Sequence, residues 1–137
     1  MQFFKKLSLI ALIAFYLLAG INHFRSPDVY YSIMPAQLPF AKLLNALSGA
    51  AEIVLALLMI RPRTRKVASY GIILMLLAFI PVHTKMVMDA PFQLGTLTVS
   101  PAVAWLRLLV FQPLLIVWAG WHSKVGSPQS EKSERRS

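Results

Sequence analysis

The chain has 137 residues, 57% of them hydrophobic and only 14% charged, with no cysteine and a formal charge of +9. That composition, with a mean hydropathy of +0.62, is far too apolar for an ordinary soluble domain. The missing cysteines exclude disulfide exchange and a cysteine-held iron–sulfur cluster. The basic charge lacks the interleaved aromatics and the binding fold of a nucleic-acid binder, so no nucleic-acid partner is expected.

Four apolar stretches, at about residues 7–24, 40–60, 66–87 and 101–121, are long enough to cross a hydrocarbon core of about 30 Å as helices rising about 1.5 Å per residue. The reading is all-α, an integral membrane four-helix bundle over residues 1–123, with 124–137 as a disordered basic tail. The start, "MQFFKKLSLIALIAFYLLAG", has the basic and apolar regions of a signal peptide. Leu17 occupies a position where cleavage after Ala19 would need a small residue, so the segment is read as a retained helix.

In the connection "RSPDVYYSIMPAQLP", Ser26 can cap a short helix with Pro27 at its first position and Asp28 in its first turn, ended by Pro35 and Pro39. Tyr30, Tyr31, Ile33 and Met34 would lie at the interface, as an anchor or as a flap over a cavity. On the second span, Asn45, Ser48, Gly49 and Glu52 follow the i, i+3, i+4, i+7 spacing of one helix face. A carboxylate facing lipid costs roughly 3 kcal/mol or more, so Glu52 should point into the bundle and find a partner or a proton. Arg107 is the leading counter-ion, with His83, Lys85 and Gln112 behind it. Gly49, Ala50 and Ala51 would let a neighbouring helix approach closely.

"RPRTRK" joins the second span to the third. Pro81 and Pro113 lie inside spans and are read as kinks, because neighbouring helices can satisfy the carbonyls they free. The loop "DAPFQLGTLTVS" offers no triad or metal-ligand spacing. Trp105, Trp118 and Trp121 read as interfacial anchors, and His122 as an interfacial residue. Of the fourteen Lys and Arg residues, ten (Lys5, Lys6, Arg61, Arg63, Arg65, Lys66, Lys124, Lys132, Arg135 and Arg136) fall on one side. The positive-inside rule then puts both termini in the cytoplasm and makes the chain a multi-pass plasma-membrane protein. On that orientation His23 lies at the outer surface, Lys85 about 4 Å down, Asn45 and His83 about 7 Å, Arg107 about 9 Å, and Glu52 and Gln112 about 16 to 18 Å. One polar group from every helix in the outer half points to a polar cavity open to that side.

Five stretches taken together, "GINHF", "MPAQLP", "SGAAE", "RPRTRK" and "LRLLVFQPLLIVWAG", resemble the DoxX family of small four-helix bacterial membrane proteins. His83 in "IPVHT" stands where that pattern has an Asn-containing sequence, and the spacing from Arg107 to Gln112 is slightly longer. The resemblance implies a bacterial inner-membrane protein. It is similar to a subunit of a thiosulfate:quinone oxidoreductase, to proteins that accompany thiol or superoxide redox partners, and to relatives that assist receptor-channel assembly. Three function classes follow. One is an accessory subunit whose pocket (Glu52, Arg107, Gln112, His83, Asn45, Ser48, His23) holds a quinone- or lipid-like molecule. Another is a non-enzymatic assembly factor recognising a client helix, and the third a small transporter, disfavoured by the lack of an internal repeat. No independent catalysis and no metal site are expected. The partners are the lipid bilayer and a membrane redox protein or further copies of the chain. A quinone is the cofactor considered; haem on His23 and His83 is disfavoured. A Glu52–Arg107 ion pair that merely fixes helix register is the structural alternative to a ligand site.

Overall fold

The computed structural model describes residues 2–124, so the tail read as disordered lies outside the described residues apart from Lys124. Helix α1 (Gln2–Arg25) leads into the short α2 (Pro27–Ile33), then α3 (Ala41–Ile60), α4 (Pro62–Ala78) and α5 (Ile80–Asp89). A small ribbon, β1 (Phe92–Leu94) with β2 (Leu97–Val99), precedes α6 (Pro101–Leu106), a wide π-type turn (Arg107–Phe111) and α7 (Gln112–Ser123). Helices α4 and α5 form one rod interrupted at Phe79, just before Pro81; α6 to α7 form another. With α1 and α3 they make four helices long and apolar enough to cross a membrane, the makeup of a multi-pass membrane protein. The fold is the all-α bundle the hydropathy indicates. The ribbon, with Gly95 at φ +62 in its two-residue turn, is an addition that the sequence reading left as loop.

The exterior is apolar: Leu18, Val67, Leu74 and Val117 are 67%, 69%, 68% and 68% exposed, the reverse of a water-soluble surface. The core joins Leu12 and Tyr16 of α1, Ala56 and Met59 of α3, Ala68, Ile72 and Leu76 of α4, and Leu115 and Ala119 of α7. Helix α3 packs between α1 and α4, and α4 against α7. Side chains close the ring between α1 and α7. Trp118 Nε1 donates to Ser8 Oγ at 2.8 Å, and Ser8 Oγ lies 3.1 Å from His122 Nε2. The serine hydroxyl, which has one hydrogen to give and two lone pairs, thereby links the indole of Trp118 to the imidazole of His122. His122 is thus buried between helices, and Trp118 is a tie between them. Only Trp105 and Trp121 stand out at the surface, 50% and 44% exposed.

The α3–α4 connection is one residue, Arg61, with Pro62 at the first helical position. Helix α4 thus starts before residue 66, and the basic run forms its first turn. Thr64 Oγ1 donates to Leu58 O at 2.6 Å and Arg65 Nε to Met59 O at 2.9 Å, closing carbonyls that the end of α3 leaves open.

Close approach defines the α1–α3 contact. A Cβ added at Gly20 would sit 2.7 Å from Gly49 O, and one added at Gly49 would sit 2.6 Å from His23 Cβ and 3.0 Å from Gly20 O. Two backbones meet where each supplies a glycine, as small residues allow in membrane bundles. Gly71 differs, since its added Cβ would meet only the flexible end of Leu55, 2.5 Å from Cδ2. Gly49→Ala should therefore destabilise the protein by about 1–3 kcal/mol through overpacking against backbone, whereas Gly71→Ala should be close to neutral. Thermal unfolding of the two variants in detergent micelles checks this. Equal melting temperatures would show that the α1–α3 contact is not tight.

Candidate functional site

The polar face of α3 is turned inward: Asn45, Gly49 and Glu52 are buried and Ser48 is half-buried. Asn45 Nδ2 donates to His23 O at 2.9 Å, so its Oδ1, 2.6 Å from His23 Nδ1, must be the acceptor there. An amide nitrogen cannot accept, so the His23 N–H sits on Nδ1. That leaves Nε2 facing the carboxyl group, 3.4 Å from Glu52 Oε2. The separation is within ion-pair reach but long for a hydrogen bond, and one proton between the two groups suits either partner.

His23, near the end of α1, is 5% exposed and so is buried within the bundle. The glycine contact lays the last turns of α1 against α3, and α2 covers the other face of the imidazole. Tyr30 stacks on it with ring centroids 3.7 Å apart and planes at 21°. Asn22 Nδ2 donates to the Tyr30 hydroxyl at 2.9 Å. Burial pushes the Tyr30 phenol above its ordinary value, against the opposing pull of that amide. Helix α2 forms where expected, yet Ser26 makes no side-chain cap bond, so Pro27 and the stacking of Tyr30 fix it instead.

Arg107 is not the direct partner of Glu52. Among the described residues, the ion pairs within 4.0 Å are His23–Glu52 and Lys85–Asp89. Arg107 Nη1 instead donates to Gln112 Oε1 at 2.9 Å. The wide turn is the cause: the Gln112 N–H bonds back to Arg107 O, five residues earlier, which brings onto one face two residues that a regular helix would separate. Gln112 Nε2 also donates to Leu76 O, beside the break before Pro81 where regular helical bonding is interrupted. The neighbouring helix thus supplies a bond at the proline kink. Lys85, paired with Asp89 on the exposed side of α5, takes no part.

Between these elements lies a cavity of about 160 Å³ at the end of the bundle that carries α2. Its wall includes Phe15, Tyr16 and His23 from α1, Tyr30 and Ile33 from α2, Ser48 and Glu52 from α3, Phe79 at the kink, His83 from α5, and Arg107 and Leu115 from the last rod. Sequence reasoning named His23, Ser48, Glu52, His83 and Arg107, and the structure brings all five to this wall. Asn45 and Gln112 stand behind it, holding His23 and Arg107. Tyr16 was missed, although it lies on the buried stripe Leu12, Tyr16, Gly20, His23. Three buried polar atoms of wall residues make no hydrogen bond among the described residues: Tyr16 Oη, Glu52 Oε2 and His83 Nε2. Each such atom left unpaired costs about 1–3 kcal/mol, and all three belong to residues of the one cavity wall.

A family model described as a domain of unknown function (DUF8561) matches residues 12–123. The chain belongs to that family. Every residue of the cavity wall falls within the stretch matched to DUF8561. None of the curated proteins and none of the solved structures matches the chain.

Gln112→Leu removes the link from Arg107 to Leu76 O and should lower stability by about 1–3 kcal/mol, a loss of several degrees in a detergent melting curve. An unchanged curve would show that Arg107 and the Leu76 carbonyl do not depend on Gln112.

Proposed function

We propose that the protein is a DoxX-like accessory subunit of a membrane redox system in a bacterial inner membrane, and that its cavity holds the head of a quinone- or lipid-like molecule. The observation that carries this reading is the cavity itself, apolar and aromatic over most of its wall, with His23, Glu52, His83 and Arg107 converging on it. Its volume of about 160 Å³ suits one six-membered ring, since an apolar cavity of about 150 Å³ accepts benzene. Arg107 donates to a ring oxygen, and the His23–Glu52 pair accepts or returns a proton beside it. The tail of such a molecule passes out among the lipid-facing helices. The resemblance of "GINHF" and "SGAAE" to the DoxX pattern supports the same assignment, because those motifs carry His23 and Glu52.

The basic residues Lys5, Lys6, Arg61, Arg63, Lys66 and Lys124 belong to the end of the bundle opposite the cavity. By the positive-inside rule they support cytoplasmic termini and a cavity in the outer half of the membrane. Electrons reach the bound ring from a partner protein, since the sequence has neither a nucleotide motif nor a cysteine.

Native mass spectrometry of protein released from lipid nanodiscs tests the reading. Wild type should carry a defined small molecule, and Glu52→Gln and Arg107→Gln, matched for folding, should lose at least nine-tenths of it, about a tenfold effect for one charged contact. Bulk lipid alone on all three would sink the cofactor reading and favour a contact with a client helix.

A further inference from the structure

His83 is a polar residue of the cavity wall to which the proposed function gives no defined role. It lies on α5, is 8% exposed, and its Nδ1 is 3.4 Å from Met86 Sδ, one turn further along the same helix. A thioether can only accept, and a neutral imidazole carries a single N–H. The hydrogen therefore sits on Nδ1, and Nε2 is left as a lone-pair acceptor, buried and without a hydrogen-bond partner among the described residues. Arg107, which shares the cavity, can only donate. The wall thus presents a fixed donor and a fixed acceptor, while the Tyr16 hydroxyl can act as either.

Both forms of a quinone head have oxygens that accept from Arg107. Only the reduced form, with ring hydroxyls, also has a hydrogen to give. An oxidised ring brings lone pairs alone, so it leaves His83 Nε2 unpaired or faces it with a like dipole. A buried site built to pair a hydroxyl rejects the analogue that lacks it, because the group left behind has lost water and gained nothing.

We propose that His83, oriented by Met86, makes the cavity select a hydroxyl-bearing ring, a hydroquinone head, over the oxidised ring whose oxygens are all carbonyls. This rests on the reading of the cavity as a ring site. In that relationship His83 is the specificity-determining residue and Met86 a positioning residue that acts through it. Replacing the thioether frees the imidazole hydrogen to move to Nε2, where it can donate to a carbonyl.

Equilibrium dialysis under argon tests this with the full chain in lipid nanodiscs, empty nanodiscs serving as the blank. The probes are a benzoquinone bearing a ten-carbon tail and the same compound reduced to the hydroquinone. Wild type should bind the reduced form at least tenfold more tightly. His83→Phe keeps a ring in the space and should bring the ratio of the two affinities to about one by weakening only the reduced form. Met86→Leu, the milder change, should also bring the ratio toward one, but by strengthening the oxidised form. Equal binding of both forms by wild type, or a ratio unchanged in Met86→Leu, would overturn the selection by His83 while ring binding itself stands. Binding of neither form above the blank would instead overturn the ring site, and the selection with it.

Discussion

The approach of α1 to α3 at Gly20 and Gly49 is the constraint on which the rest of the site depends. With a side chain at either position, the two backbones could not come within van der Waals contact, and His23 would stand clear of Asn45 and Glu52. With glycine at both, the end of α1 is pressed onto the polar face of α3. A buried histidine then finds an amide at one ring nitrogen and a carboxyl group at the other. In a bundle whose exterior is apolar there is little hydrophobic drive to bring helices together, so this packing and the bonds it permits supply much of the specificity of the fold.

The polar groups inside the bundle are few, and nearly all serve to orient another. Asn45 fixes the tautomer of His23, Gln112 holds Arg107 while donating to the Leu76 carbonyl, and Met86 fixes His83. The irregular features of the backbone belong to the same arrangement. Beside the break before Pro81 the Leu76 carbonyl accepts from Gln112 as well as from the Phe79 N–H, and the wide turn ahead of Pro113 rotates Arg107 onto the face of Gln112. Proline kinks and wide turns usually weaken a helix. Here they place donors and acceptors around one cavity, as expected when such irregularities occur at functional positions.

The four spans were legible because hydropathy alone sets them, and the buried face of α3 was legible because Asn45, Ser48, Gly49 and Glu52 repeat with the helical period. The partner of Glu52 was not. Depth counted along each axis says nothing about how the helices are rotated or how far they tilt, so Arg107 looked nearer than His23. The turn that redirects Arg107 is a change of one residue in helical spacing, visible only as an Arg–Gln separation of five. Tyr16 was passed over and Trp118 was read as an anchor because their polar atoms are small parts of large rings. Ser8 and His122, far apart in the chain, meet only when the bundle closes. The ribbon had a signal that was passed over, a glycine between alternating residues in "FQLGTLTV".

Packing gives the imidazoles of His23 and His83 a fixed hydrogen-bond polarity, and with three histidines in the chain a direct test is within reach. Solid-state nitrogen-15 NMR of protein labelled at histidine, in lipid bilayers, reads the protonation of each ring nitrogen. A hydrogen on Nδ1 of both His23 and His83 is expected, with the Nε2 of His83 bare. An Nε2-protonated ring with a bare Nδ1 at His23 or His83 would contradict it.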